Sequence, residues 1–227
     1  MDYENHGMLE SRAGTALQEI SFINKVFGLM TLGLLVTALT AGYLATHIPL
    51  QTLAGLWLPV VILEFVVVLA LSGLAMKMPP MLALISFVGY AALNGVTLSS
   101  LFFVYQLGSV CKVFFITAGT FGAMAMIGAT TRTDLTRLGS LCIMVLLGIV
   151  IASLVNIFLK STGLEFALSI LGVLVFVGLV AYDTQKLKRI HEQGINHTGL
   201  AVLGALSLYL DFINLFLYLL RLFGRRK

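Results

Sequence analysis

Charge is what this chain has least of: only 11% of its 227 residues are Asp, Glu, Lys or Arg, against roughly 25% in a water-soluble globule. With 59% hydrophobic residues and a mean hydropathy of +1.02, that shortage excludes a soluble domain and predicts a polytopic membrane protein. Cysteine is nearly absent too. Cys111 and Cys142 stand in or beside apolar runs without CxxC or His-Cys spacing, so zinc and redox chemistry are disfavoured and both read as packing residues. Neither HExxH nor GxGD occurs, and His6, His47, His191 and His197 all fall in the first residues or near connections, so the motifs of an intramembrane protease are missing. The last apolar run has no lysine for a retinal Schiff base within its span. No tightly bound cofactor and no enzymatic activity are expected.

The formal charge of +4 does not point to nucleic acid, because the basic residues sit in short clusters between apolar runs. Such clusters read as topology signals and contacts with the lipid bilayer surface. The opening residues carry Asp2, Glu4, Glu10, Arg12, Glu19 and Lys25, unlike a secretory signal with its basic start, short apolar core and small-residue cleavage site. Residues 1–25 are therefore read as a retained cytoplasmic tail. Its end places Leu17, Ile20 and Phe27 among charges at helical spacing, suited to lie along the membrane surface.

Seven apolar windows have the ~20 residues needed to cross ~30 Å of hydrocarbon. They run near Val26–Thr46, Ala54–Met76, Leu82–Tyr105, Val113–Thr131, Leu138–Leu159, Leu164–Asp183 and Leu200–Leu222. Connections are short, with Pro and Gly in HIPLQ, KMPP and the Gly194 to Gly199 region. The expected fold is all-α, one seven-helix transmembrane domain over 26–222 followed by a basic tail over 223–227. With the N-terminus inside, eight Lys and Arg fall on the inner side and six outside, a weak positive-inside bias. A last segment that re-entered would make it twelve against two, but Leu200–Leu222 is long enough to span, covering about 34 Å.

Three acids break the apolar runs. An ionised carboxylate in hydrocarbon costs about 2.5 kcal/mol or more, so each one reads as a functional group facing the protein interior. Asp183 closes the sixth run and Asp211 lies in the middle of the seventh. Asp183 has a plainer reading as an interfacial acid paired with Lys186 or Lys188; against it, a helix continuing to Arg189 would place Asp183 about 9 Å inside the helix end. Glu64 lies near the middle of the second run, with no local Lys or Arg to neutralise it. It either carries a proton or joins the two aspartates around a cation, and an oxygen-only set of this kind suits calcium rather than zinc.

Ser207, Asp211, Asn214 and Tyr218 follow i, i+4, i+7, i+11 spacing and form one polar stripe on the seventh span, which is satisfied only against other helices or a water-filled path. Asn94, Thr97 and Ser100 share one side of the third span, and Asn156 lies in the fifth. Interhelical hydrogen bonds of ~0.6 kcal/mol each are the plainer account of these. In the fourth span, Gly119 with Ala123 and Ala125 with Ala129 form small-xxx-small pairs expected to pack closely.

NKVFGLMTLGLLVTA, YAALNGVTLSS, FFITAGTFGAMAMIGATTRTDLTRLGS, AYDTQKL and ALSLYLDFINLFLYLLRLFG together resemble the Bax inhibitor family over nearly all of the chain after the tail. The resemblance implies a seven-helix bundle with the last helix in the centre. It also implies a calcium leak across the membrane, regulated by pH through an aspartate pair that maps onto Asp183 and Asp211. The short tails are most similar to the bacterial branch, which implies the inner membrane. Family members often carry an arginine in the second span, after the acid; here the stretch is ALSGLAMKM, with only Lys77 at its end. The family equally implies a non-conducting regulator of other membrane proteins, such as a membrane protease or stress machinery. In the leak reading, two carboxylates a few ångströms apart share one proton, and losing it lets repulsion loosen the helices and a cation enter.

Overall fold

The computed structural model describes the backbone of residues 2–192 and 198–227, and side chains over 22–191 and 199–227. The helices are α1 (Asp2–His47), α2 (Leu50–Leu74), α3 (Pro80–Ser99), a single turn α4 (Leu101–Val104), α5 (Leu107–Thr130), α6 (Thr136–Leu159), α7 (Thr162–Glu192) and α8 (Thr198–Phe223). Pro49 and Pro79 stand at the entrances of α2 and α3, where a missing N–H costs no helical hydrogen bond. Among the described residues seven helices are long and apolar enough to cross a membrane, α3 and α4 together making the third.

The spans follow the apolar windows with small shifts at most ends and one larger change. The sixth does not stop at Asp183 but runs from Thr162 to His191, because the helix continues through the basic segment. Asp183 is thereby roughly 13 Å inside the end of α7 at 1.5 Å per residue. The first span lies within one continuous helix from Asp2, so α1 itself shows no break between tail and span. Leu17, Ile20, Gly194 and His197 lie outside the residues whose side chains are described. The last helix is uninterrupted and does not re-enter.

Hydrophobicity all round a helix leaves its position undecided; packing decides it. α8 is the most enclosed span and α2 and α6 the least. Around α8 stand α1, α3, α5 and α7, while α2 packs chiefly on α3 and only brushes α8. Tyr209, Leu208, Leu215 and Val202 of α8 are fully buried. Close approach in the bundle needs glycine at several crossings. A Cβ added at Gly95 of α3 would lie 2.7 Å from the Thr37 carbonyl oxygen of α1. One added at Gly128 of α5 would run into the Ala181 carbonyl of α7.

Two packing expectations are corrected here. The buried stripe of α5 is Val110, Val113, Thr117, Phe121, Ala125 and Gly128, so the Gly119 and Ala123 pair faces outward instead. Cys111 is also exposed, whereas Cys142 is buried as a packing residue should be.

The two ends of the bundle are tied differently. At one end Gln185, buried on α7, accepts the Leu135 N–H at 2.9 Å and donates to the Thr133 carbonyl at 2.8 Å, pinning the connection between α5 and α6. Arg189 reaches Asp134 of the same connection at 2.8 Å. At the other end the residues after α8 pair with the turn between α4 and α5: Gln106 N–H donates to the Arg225 carbonyl at 3.0 Å and Lys227 N–H to the Val104 carbonyl at 2.9 Å. Arg226 also meets Glu165 at the start of α7, at 3.7 Å. The start and end of α8 thus lie at opposite ends of the bundle, as a full crossing requires.

Candidate intramembrane acid site

α8 presents polar groups on two faces. One is the stripe of Ser207, Asp211, Asn214 and Tyr218, and it meets α7. Ser207 Oγ donates to Asp183 Oδ2. Asp211 follows one turn later, is 5% exposed, and its Oδ2 has no hydrogen-bond partner among the described residues. It lies within electrostatic range of Asp183, so the two carboxylates that the sequence singles out are neighbours across the α7–α8 contact. Asn214 instead donates to the Leu210 carbonyl of its own helix at 2.8 Å. Tyr218 stacks on Phe176 of α7 at 5.8 Å between ring centroids, over the space left by Gly172. Those two residues belong to helix packing rather than to the carboxylates.

Asp183 faces a cavity of about 290 Å³ shared by α2, α7 and α8. Ser72, Lys186 and Ser207 supply its other polar groups, and Leu203, Leu206 and Leu210 line its apolar wall. Asp211 is set behind this cavity, deeper in the bundle. A buried acceptor without a donor is expensive, of order 1–3 kcal/mol, and is retained where a proton, water or ion completes it.

The second polar face of α8 escapes the sequence reading. Tyr209 points away from the aspartates, and its hydroxyl lies 2.7 Å from Thr37 Oγ1 of α1. Thr37 also donates within 2.8 Å of the Ala91 carbonyl of α3. Thr37 and Tyr209 are both buried. A threonine in an apolar run is ordinary and a tyrosine reads as packing, so the only signal was that Tyr209 is two residues from Asp211, which places them on opposite faces of a helix.

Glu64 belongs to this second face. Thr97 of α3 donates to Glu64 Oε1 at 2.5 Å, and Tyr90 and Tyr209 are within its electrostatic range. Asn94 is buried beside Tyr90. Ser100 bonds the Thr97 carbonyl of its own helix. Among the described residues no group of three or more His, Cys, Asp or Glu side chains is placed to hold a metal ion. Glu64 is therefore not clustered with the two aspartates. The oxygens of Asp183, Ser207 and Asp211 suit a hard cation in kind, but calcium takes 6–8 oxygens, more than these three side chains supply. Asn156 is also reassigned. It bonds both the N–H and the carbonyl of Ser161, at 3.0 and 3.2 Å, and caps the turn after α6, where Lys160 adopts a φ of 50°.

Outside the spans, Asp134 accepts from the Thr136 hydroxyl at 2.7 Å and the Thr136 N–H at 2.9 Å as well as from Arg189. These donors, the Thr136 hydroxyl first, hold its carboxyl down at about 2.

Six apolar helices packed with an enclosed, acid-bearing seventh, α8, define a multi-pass integral membrane protein. The family described as inhibitor of apoptosis-promoting Bax1 matches residues 19–227. The inner membrane protein YbhL of Escherichia coli strain K12 is 45% identical over 229 residues, covering 97% of this chain and 96% of YbhL. An uncharacterized protein of Borreliella burgdorferi is 46% identical over 217 residues, covering 91% of this chain and 92% of that protein. Protein RP147 of Rickettsia prowazekii is 40% identical over 221 residues, with 91% and 90% covered. The chain belongs to the Bax inhibitor family.

Proposed function

We propose that this protein is a pH-sensitive calcium leak channel of a bacterial inner membrane, gated by Asp183 and Asp211 and oriented with its N-terminus in the cytoplasm. The observation that carries the reading is the Asp211 carboxylate, buried with Oδ2 unpartnered, next to an Asp183 that opens onto the α2–α7–α8 cavity. In the closed state the pair holds one proton between two carboxylates, which ties α7 to α8. Loss of that proton sets two like charges side by side in a poorly solvated site, loosens the contact, and makes the site attractive to a divalent cation. Glu64, held by Thr97 and apart from the pair, is a separate acidic station that contributes one carboxylate to passing calcium. The inner-membrane placement is supported by the printed name of the Escherichia coli relative, and the orientation by the eight-to-six distribution of basic residues.

A second reading, a non-conducting regulator that binds a membrane protease or stress machinery, is favoured by the lack of a three-acid group among the described residues. In that case the aspartates clamp α7 to α8. Purified protein in sealed liposomes loaded with a calcium dye separates the two: a leak channel dissipates a calcium gradient unaided and faster as pH rises, whereas a regulator leaves the gradient intact.

A further inference from the structure

Three basic residues follow one another at the end of α7, and their side chains go to different places. Lys188 Nζ reaches the Ala129 carbonyl of α5 at 3.4 Å, and Arg189 pairs with Asp134 in the connection between α5 and α6. Lys186 alone lines the cavity that also holds Asp183. A lysine near the end of a membrane helix ordinarily extends its ammonium outward to water. Here the ammonium turns back along α7, 5.8 Å from the centre of the Tyr182 ring one turn deeper. Asp183, three residues before Lys186 and on the same side of the helix, feels its charge. Among the described residues, the remaining groups facing Asp183 are the Ser207 hydroxyl and the Asp211 carboxylate from α8, and α2 contributes only the Ser72 hydroxyl to the cavity.

We propose that Lys186 is a tethered cation that occupies the mouth of the cavity in front of Asp183 and competes there with the permeating divalent ion. Its ring and carboxylate neighbours hold a single positive charge where an arriving ion must sit, so the ion binds only by displacing it. The lysine sets the calcium concentration at which the leak begins, without itself being part of the aspartate pair. This regulation rests on the leak-channel reading of the same site.

The test uses the full-length protein in liposomes and reads the free calcium concentration that gives half-maximal flux, with direct calcium binding to the detergent-solubilised protein measured by equilibrium dialysis. Lys186→Gln should lower that concentration about fivefold, the ratio that an exposed ion pair at the upper end of its usual strength supplies. Lys186→Glu should lower it further, and Lys186→Arg should keep the wild-type value. Lys186 is exposed, so these changes leave folding intact, checked by size-exclusion profile. If wild type conducts or binds calcium and Lys186→Gln matches it, the competitor role is overturned and the leak reading stands. The role is equally overturned if Arg behaves like Gln, since a positive charge then does not matter. If wild type neither conducts nor binds calcium, the leak reading falls, and this proposal with it.

Discussion

The Ser207 hydroxyl of α8 is bonded to the Asp183 carboxylate of α7, and this contact between the two helices leaves Asp211, one turn further along α8, facing Asp183 without a donor of its own. The asymmetry matters for mechanism. One carboxylate is anchored and opens onto a cavity, and the other is enclosed, so a proton held between them is exchanged from the Asp183 side. Removing the anchor by Ser207→Ala leaves part of a buried carboxylate unbonded.

Asp183→Asn and Asp211→Asn should each abolish the pH dependence of calcium flux measured between about pH 5 and pH 8, because a lone carboxylate has no partner with which to share a proton. The double mutant should add little, as groups acting as one unit are not additive. Wild-type pH profiles in both single mutants would replace the gate with a helix clamp.

Glu64 is hydrogen-bonded by Thr97 and is not grouped with the aspartates. Replacing Thr97 by Val and Glu64 by Ala, singly and together, should give a coupling of about 0.6 kcal/mol in a thermal or denaturant assay, the average for interhelical hydrogen bonds in membranes. Glu64→Gln should reduce calcium flux while leaving its pH midpoint where wild type has it. A shifted midpoint would place Glu64 in the same titrating unit as the aspartates.

Asp134 provides a pH test away from the carboxylate pair. Its carboxyl is held at about 2 by Thr136 and Arg189, below the ~3.9 of an unfolded chain. A depressed acid contributes stability that is complete above the unfolded value and is lost as pH falls through the folded one. Asp134→Asn should therefore melt below wild type at pH values above about 4, and the difference should close as pH approaches about 2. The effect is small because the group is exposed. A gap that persists at low pH would assign the loss to the Thr136 hydrogen bonds rather than to the charge.

Gly128 and Gly119 lie on the same helix and make opposite predictions. An added methyl at Gly128 meets the Ala181 backbone, whereas one at Gly119 meets nothing within 4 Å. Gly128→Ala should destabilise by about 1–3 kcal/mol through overpacking, and Gly119→Ala should stay within about 0.5 kcal/mol. Thermal unfolding in detergent distinguishes them. Equal effects would mean that α5 does not present this face to α7.

The number of spans, the acids inside them and the polar stripe on α8 were legible in the residues themselves. Hydropathy over ~20 residues and a 3.6-residue period are local properties, and the membrane enforces both. Ser207 and Asp211 could be placed on one face before any neighbour was known, and the length of Leu200–Leu222 sufficed to favour a full crossing. Which helices touch is another matter. Lipid tails are as apolar as leucine, so an apolar side chain gives no sign of whether it faces lipid or protein. That is why Gly119 and Ala123 read as a packing pair yet face outward, and why Gly128, outside both small-residue pairs, makes the close crossing with Ala181. It is also why Glu64 seemed able to join the aspartates, when the packing of α2 on α3 gives it Thr97 instead. The inward turn of Lys186 is a tertiary fact of the same kind. Its direction follows from Tyr182, Asp183 and an open cavity, none of which a count of basic residues contains.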